Sequence, residues 1–198
     1  MKLNTVLLSG LVAILLSCPA AAQTAKKEIH NKEFNWTIVI PEGFESVTAE
    51  EWARLENKGA DAIEKTYGEK VENRAKTIFV FRSNRLHYLE SNYQSYDVKE
   101  DGDYPESVKN VNDILYGTFE AQLPNAKLDS AFSTEVISGL TFQRFKIAIT
   151  LPNKMVLNVW MYSRLFGKKD FSINIMAVDK EKERLLLEAW RNSKFGKQ

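Results

Sequence analysis

Alternation marks the first ordered stretch of the chain. Phe34-Asn35-Trp36-Thr37-Ile38-Val39-Ile40 is rich in aromatic and β-branched residues and stops at Pro41-Glu42-Gly43, which predicts a strand followed by a turn. Thr48-Ala49-Glu50-Glu51 then has the form of a capping box, so a helix is predicted to start there. Its apolar stripe runs Trp52, Leu55, Ala62, Ile63 and Tyr67, and Gly68 is placed to end it in a left-handed conformation. Thr77-Ile78-Phe79-Val80-Phe81-Arg82 predicts a buried strand, with a second extended piece around Asn92 to Val98. Lys99 to Glu106 is polar and turn-rich. It leads through Pro105 into a helix to about Gln122, whose apolar positions Val111, Leu115, Phe119 and Leu123 fall four apart.

From Ala126 the period changes to two. Lys127 to Val136, Leu140 to Leu151, Met155 to Leu165 and Phe171 to Val178 are strand candidates separated by short turn sequences, so neighbours should pair antiparallel as a meander. Lys180 to Ser193 closes the chain as a helix, with Leu186, Ala189, Trp190 and Phe195 predicted to dock on the sheet. Trp36, Trp52, Trp160 and Trp190 all fall on predicted apolar faces. With no internal repeat and no linker, residues 23–198 are expected to be one domain.

The residues before this domain change the setting. Residues 1–22 read as a signal peptide: Lys2 is the basic start, Val6 to Leu16 the apolar core, and Ala20-Ala21-Ala22 the small residues before cleavage at Gln23. The apolar core falls short of the roughly 20 residues needed to span a bilayer, so no transmembrane helix is expected. The mature chain is therefore expected to be exported, to the periplasm or the cell exterior. Leu15-Leu16-Ser17-Cys18 supports an alternative, a lipobox in which a lipid anchor at Cys18 would hold the protein on the membrane as a lipoprotein. Leu16 is not the usual small residue there, and Pro19 suits an ordinary cleavage region.

Cys18 is the sole cysteine, so the mature domain has neither disulfides nor a thiolate nucleophile. With Lys2 removed, the 27 basic residues of the full chain fall to the number of acidic ones, 26, and this balance argues against nucleic acid as a partner. His30 and His87 stand apart, and no GxSxG, GxxxxGK[ST] or GxGxxG sequence occurs. The tripeptide Asn35-Trp36-Thr37 matches a glycosylation sequon but lies within a predicted strand.

Two groups of residues remain as candidate sites. Tyr88, Tyr93 and Tyr96, in a segment predicted irregular, form with Tyr104 a candidate binding surface. Asp101, Asp103 and Glu106 offer hard oxygens around Gly102, which suits a divalent cation such as calcium, although the alternate ligand positions of an EF-hand are missing. The same acids would also favour the N-terminus of the next helix through its dipole. No other cofactor is expected.

The order of these elements resembles the Mog1/PsbP-like domains. The echoes are Ile38-Val39-Ile40-Pro41-Glu42-Gly43-Phe44, Asn112 inside a helix start, Ile137-Ser138-Gly139-Leu140-Thr141-Phe142 and the closing Ser193-Lys194-Phe195, which together span nearly the whole mature chain. The resemblance implies an α+β fold, an antiparallel sheet packed against helices as an α/β sandwich. Bacterial exported members have a similar size and leader. Photosystem members are accessory proteins and nuclear ones bind a small GTPase, and none of the echoes is a catalytic signature. The loop Lys99 to Glu106 departs from the family. The functional expectation is an exported cell-envelope binding or accessory module without catalytic activity, recognising a protein or envelope partner. The alternative is a metal-assisted enzyme with a site formed by the acidic loop 100–106 and His87.

Overall fold

A computed structural model describes residues 27–68 and 74–196. The leader and Cys18 lie outside these residues. In chain order the elements are β1 (Glu28–Asn31), β2 (Trp36–Val39), β3 (Glu45–Ser46), α1 (Ala49–Tyr67), β4 (Lys76–Asn84), β5 (His87–Ser95), α2 (Val98–Asp101), α3 (Tyr104–Gln122), β6 (Lys127–Ile137), β7 (Leu140–Thr150), β8 (Val156–Phe166), β9 (Lys169–Ala177), α4 (Lys180–Arg191) and β10 (Lys194–Phe195). An antiparallel seven-stranded sheet runs β3-β4-β5-β9-β8-β7-β6, and a small sheet runs β1-β2-β10. This is the α+β sandwich expected. Among the described residues no helix is long and apolar enough to cross a membrane.

Local chemistry sets the boundaries. The Thr48 hydroxyl accepts from the Glu51 amide at 3.2 Å, and Gly68 ends α1 with φ 72°. Ser138 and Gly139, with φ 51° and 80°, make the tight turn between β6 and β7, where two successive left-handed residues match the twist of a hairpin.

The two faces of the large sheet differ. On one, Leu89, Phe142, Tyr162, Phe171, Ile173 and Ile175 pack against the small sheet and α4 in an aromatic core around Trp36 and Trp190. Phe142 meets Trp190 edge to face at 5.0 Å, and Trp36 does so at 6.1 Å. On the other face Phe145, Ile147, Ile149 and Val159 pack under Leu115, Tyr116 and Phe119 of α3.

Several expectations need correction. The segment around Asn92 belongs to a regular strand, β5, that begins at His87 and pairs with both β4 and β9. Polar alternation hid it: Glu90, Asn92 and Gln94 take one face while Leu89 and Tyr93 take the other. Val98 to Asp101 is a helical turn capped by the Asp97 carboxylate rather than open loop. The inward face of α3 is centred on Val108 and Asn112, leaving Val111 50% exposed, and Tyr67 at the end of α1 is also exposed. Trp160 is half-buried, with Lys146 over its ring and its indole N–H donated to Glu183 at 2.7 Å.

Candidate functional site

Beneath the first half of α3 the sheet face turns from apolar to polar. The register brings the polar side chains into rows: Glu90 stands opposite Asn174, Asn92 opposite Ser172, and Gln94 opposite Asp170 on the β5–β9 pair. The middle row continues through Ser163 on β8 to Gln143 on β7. Polar side chains thus run across four strands under a helix, where a sheet ordinarily carries core. The α3 residues Ser107, Val108, Val111 and Asn112 stand over them and enclose a cavity of about 210 Å³.

The floor is internally hydrogen-bonded. Buried Glu90 accepts from the amides of Asn92 at 2.9 Å and Asn174 at 3.0 Å. Asp170 accepts from the Tyr104 phenol at 2.7 Å and from the Gln94 amide at 3.3 Å. Burial pushes the Asp170 carboxyl above the ordinary aspartate range, against the lowering effect of those two donors. Burial likewise raises the Tyr104 phenol, and the Asp170 charge adds to it. Two groups remain unpaired. Asn112 is 4% exposed and its Nδ2 has no partner, nor has the Oδ1 of Asn174. Both residues line the cavity, so a buried donor on the roof and a buried acceptor on the floor are left open. Among the described lining residues there is no lysine, arginine or histidine.

Val111 on α3 and Gln143 and Phe145 on β7 also line the cavity. Phe145 pairs with Phe132 of β6. Strand β6 has one neighbour among the described strands, so among the described residues its outer row of backbone groups has no strand partner, and it carries Phe132 and Val136, 50% and 64% exposed. Its other face is anchored: the Glu135 carboxylate accepts from Arg191 at 2.7 Å, Arg144 at 2.9 Å and Tyr162 at 3.0 Å. Burial raises the pKa of Glu135, but these three donors together hold it below the usual value.

The residues singled out from the sequence are distributed differently from expectation. Tyr88 packs on Trp52 at 5.0 Å on the α1 side of the sheet, whereas Tyr93 points to the opposite face and meets Phe34 at 5.4 Å. Tyr96 is buried, donates to the Gly102 carbonyl and meets Tyr104 edge to face at 5.2 Å. Of the four, the structure brings together only Tyr96 and Tyr104, and Tyr104 alone reaches the cavity wall, through Asp170.

The carboxylates of Asp101 and Asp103 serve their own backbone. Asp101 accepts from the Asp97 amide at 2.8 Å and pairs with Arg74, while Asp103 caps α3 by accepting from the Glu106 amide at 3.3 Å. Among the described residues no three His, Cys, Asp or Glu side chains gather as a metal site requires. His87 lies at the other end of β5 from this loop, so the two do not form one site. It fastens β5 to α4: its Nδ1 bonds the Asn84 side chain at 2.9 Å, and its Nε2 accepts from the Asp179 amide at 3.2 Å. Burial holds its pKa below the ordinary value, against the pull of the Asp179 charge.

No protein-family model matches the chain, and no curated protein matches it. Among solved structures it is similar to cyanobacterial PsbP (CyanoP) from Synechocystis sp. PCC 6803, with 11% identity over 92% of this chain and 99% of that one and a TM-score of 0.56. It also matches the Ran-binding protein Mog1p of Saccharomyces cerevisiae, with 13% identity over 86% of this chain and 95% of that one and a TM-score of 0.40. The fold assignment rests on the first of these: the chain has a PsbP-like fold, in line with the Mog1/PsbP-like resemblance of its sequence.

Proposed function

We propose that this chain is an exported, non-catalytic binding or accessory module of the cell envelope that recognises a protein or envelope partner at the free edge of β6. The observation that carries the reading is Phe132 and Val136, large apolar side chains exposed on a long edge strand. Soluble proteins ordinarily blunt such edges with charge, proline or a covering element. An extended partner segment laid along β6 would satisfy its unpaired backbone groups and cover both side chains, the strand-addition mode of recognition. The leader supports export.

Site-specific photo-crosslinking in the native host tests the reading, with the crosslinker at position 132 and, as a control, at exposed Asp61 on α1. A discrete crosslinked species from position 132 alone, abolished by Val136→Lys, is the expected result. Equal crosslinking from both positions, or none from 132, rejects the β6 edge as the recognition surface. Intact mass of the exported protein accompanies it: a chain beginning at Gln23 is expected, and a lipid-modified Cys18 would instead establish the anchored form.

A further inference from the structure

We infer that the cavity under α3 is a binding site for a small uncharged molecule bearing hydroxyl or carboxamide groups. At about 210 Å³ it exceeds the roughly 150 Å³ that suffices to take up benzene, so it accommodates a single ring or a short polyol. Its chemistry excludes other classes. An anion would meet Asp170 with no basic side chain among the described lining residues to offset it. A purely apolar molecule would cover a floor of serine, asparagine and glutamine side chains and leave their polar groups unpaired.

The open valences define the complement. Asn112 Nδ2, on the roof, needs an acceptor, and Asn174 Oδ1, on the floor, needs a donor. A hydroxyl or a primary carboxamide is both donor and acceptor, so a molecule bearing such groups carries the complement of each atom. The rest of the floor is already committed: the Asn174 amide nitrogen is held by Glu90, and Asp170 by Tyr104 and Gln94. The open acceptor is therefore held in place before any ligand arrives, and little ordering remains to be done on binding. Val108, Phe145 and Met161 give an apolar wall for the face of a ring. No described residue lining this site belongs to β6, and its two unpaired groups lie on β9 and α3.

The full mature chain, labelled with nitrogen-15, is titrated with D-glucose, myo-inositol and nicotinamide as uncharged probes and with glucuronate as the anionic counterpart of glucose, following the side-chain amide signals of Asn112 and Asn174. The expected result is a saturable shift of both signals with at least one uncharged probe in the millimolar range and none with glucuronate. The polyol and amide arms distinguish which group the site selects. Asn112→Ser should weaken that binding at least tenfold. Because Asn112 is buried, Val111→Trp provides a second variant: it adds bulk at the exposed mouth without touching the polar floor, and it should abolish the shift with the melting temperature unchanged. Absence of a saturable shift with every uncharged probe would show that the cavity holds water only and overturn the assignment. So would equal binding of glucuronate, or undiminished binding in a folded Val111→Trp protein.

Discussion

The Tyr104 phenol donates to Asp170 across 2.7 Å, tying the first residue of α3 to the strand that forms the floor beneath it. The bond joins α3 to the floor strand, and Asn112 stands two turns further along the helix.

Tyr104→Phe removes that donor and leaves Asp170 with Gln94 alone. The expected loss is about 1.5–3 kcal/mol, the range for a bond to a charged group, read by urea unfolding. Asp170→Asn keeps an acceptor for Tyr104 and removes the buried charge. Because burial raises the folded pKa of Asp170, the folded parent binds its proton more tightly than the unfolded chain does. It therefore loses stability as pH rises from the ordinary aspartate value through the folded one. The asparagine variant should be at least as stable as the parent at neutral pH, and its advantage should shrink as the solution is acidified.

His87 predicts the opposite slope. With Nε2 accepting from the Asp179 amide, the fold requires the neutral ring, and the folded pKa lies below 6.5. The unfolded chain takes up the proton first, so stability is complete above pH 6.5 and falls as pH drops from there through the folded pKa. Melting curves across this window should show the decline in the parent and a flatter profile in His87→Gln.

Trp190→Ala should cost about 3–5 kcal/mol. The indole is fully buried against Phe142 and Tyr162, at 5.0 and 5.4 Å, and its removal leaves a cavity where α4 docks. Urea unfolding within half a kcal/mol of the parent would contradict that packing.

The loop after β5 should respond to capping more than to calcium. Asp103→Ala removes the N-cap of α3 and should cost about 1 kcal/mol. Millimolar calcium should shift the melting temperature only slightly, because Asp101 and Asp103 already accept from backbone amides. A rise of many degrees, lost in Asp101→Asn, Asp103→Asn, would establish a metal site there.

The C-terminal half was legible in the sequence because period two and short turns act locally: the four strands β6 to β9 and the docking of Leu186 and Trp190 follow from spacing alone. The cavity was not. Alternation shows that Glu90, Asn92 and Gln94 share a face with one another, and Asp170, Ser172 and Asn174 likewise, but it does not show what lies over that face. The cover is α3, and its four-residue stripe told only part of this: Leu115, Phe119 and Leu123 pack on the sheet, whereas Val111 at the start of the stripe is exposed and Asn112 faces inward. A polar residue at a helix's inward position, matched with polar alternation on two separate strands, was the available clue. Asn112 entered the sequence reading only as part of a family resemblance.

The pairing of β5 with β9 also governs how the sheet is assembled. Within the large sheet, β4 with β5 is a hairpin and β6 through β9 is a run of hairpins, each closed by a short connection, whereas the seam pairs Ser95 with Lys169 and Tyr88 with Met176. Closing so long a loop is entropically costly and is rewarded only once the strands meet. Until then β5 is an edge whose outer row of backbone groups is uncovered. On a chain emerging from its N-terminus, that edge stays open through the synthesis of α3 and three further strands, so the interval before β9 arrives is when the polypeptide is most exposed to aggregation and has most need of a chaperone.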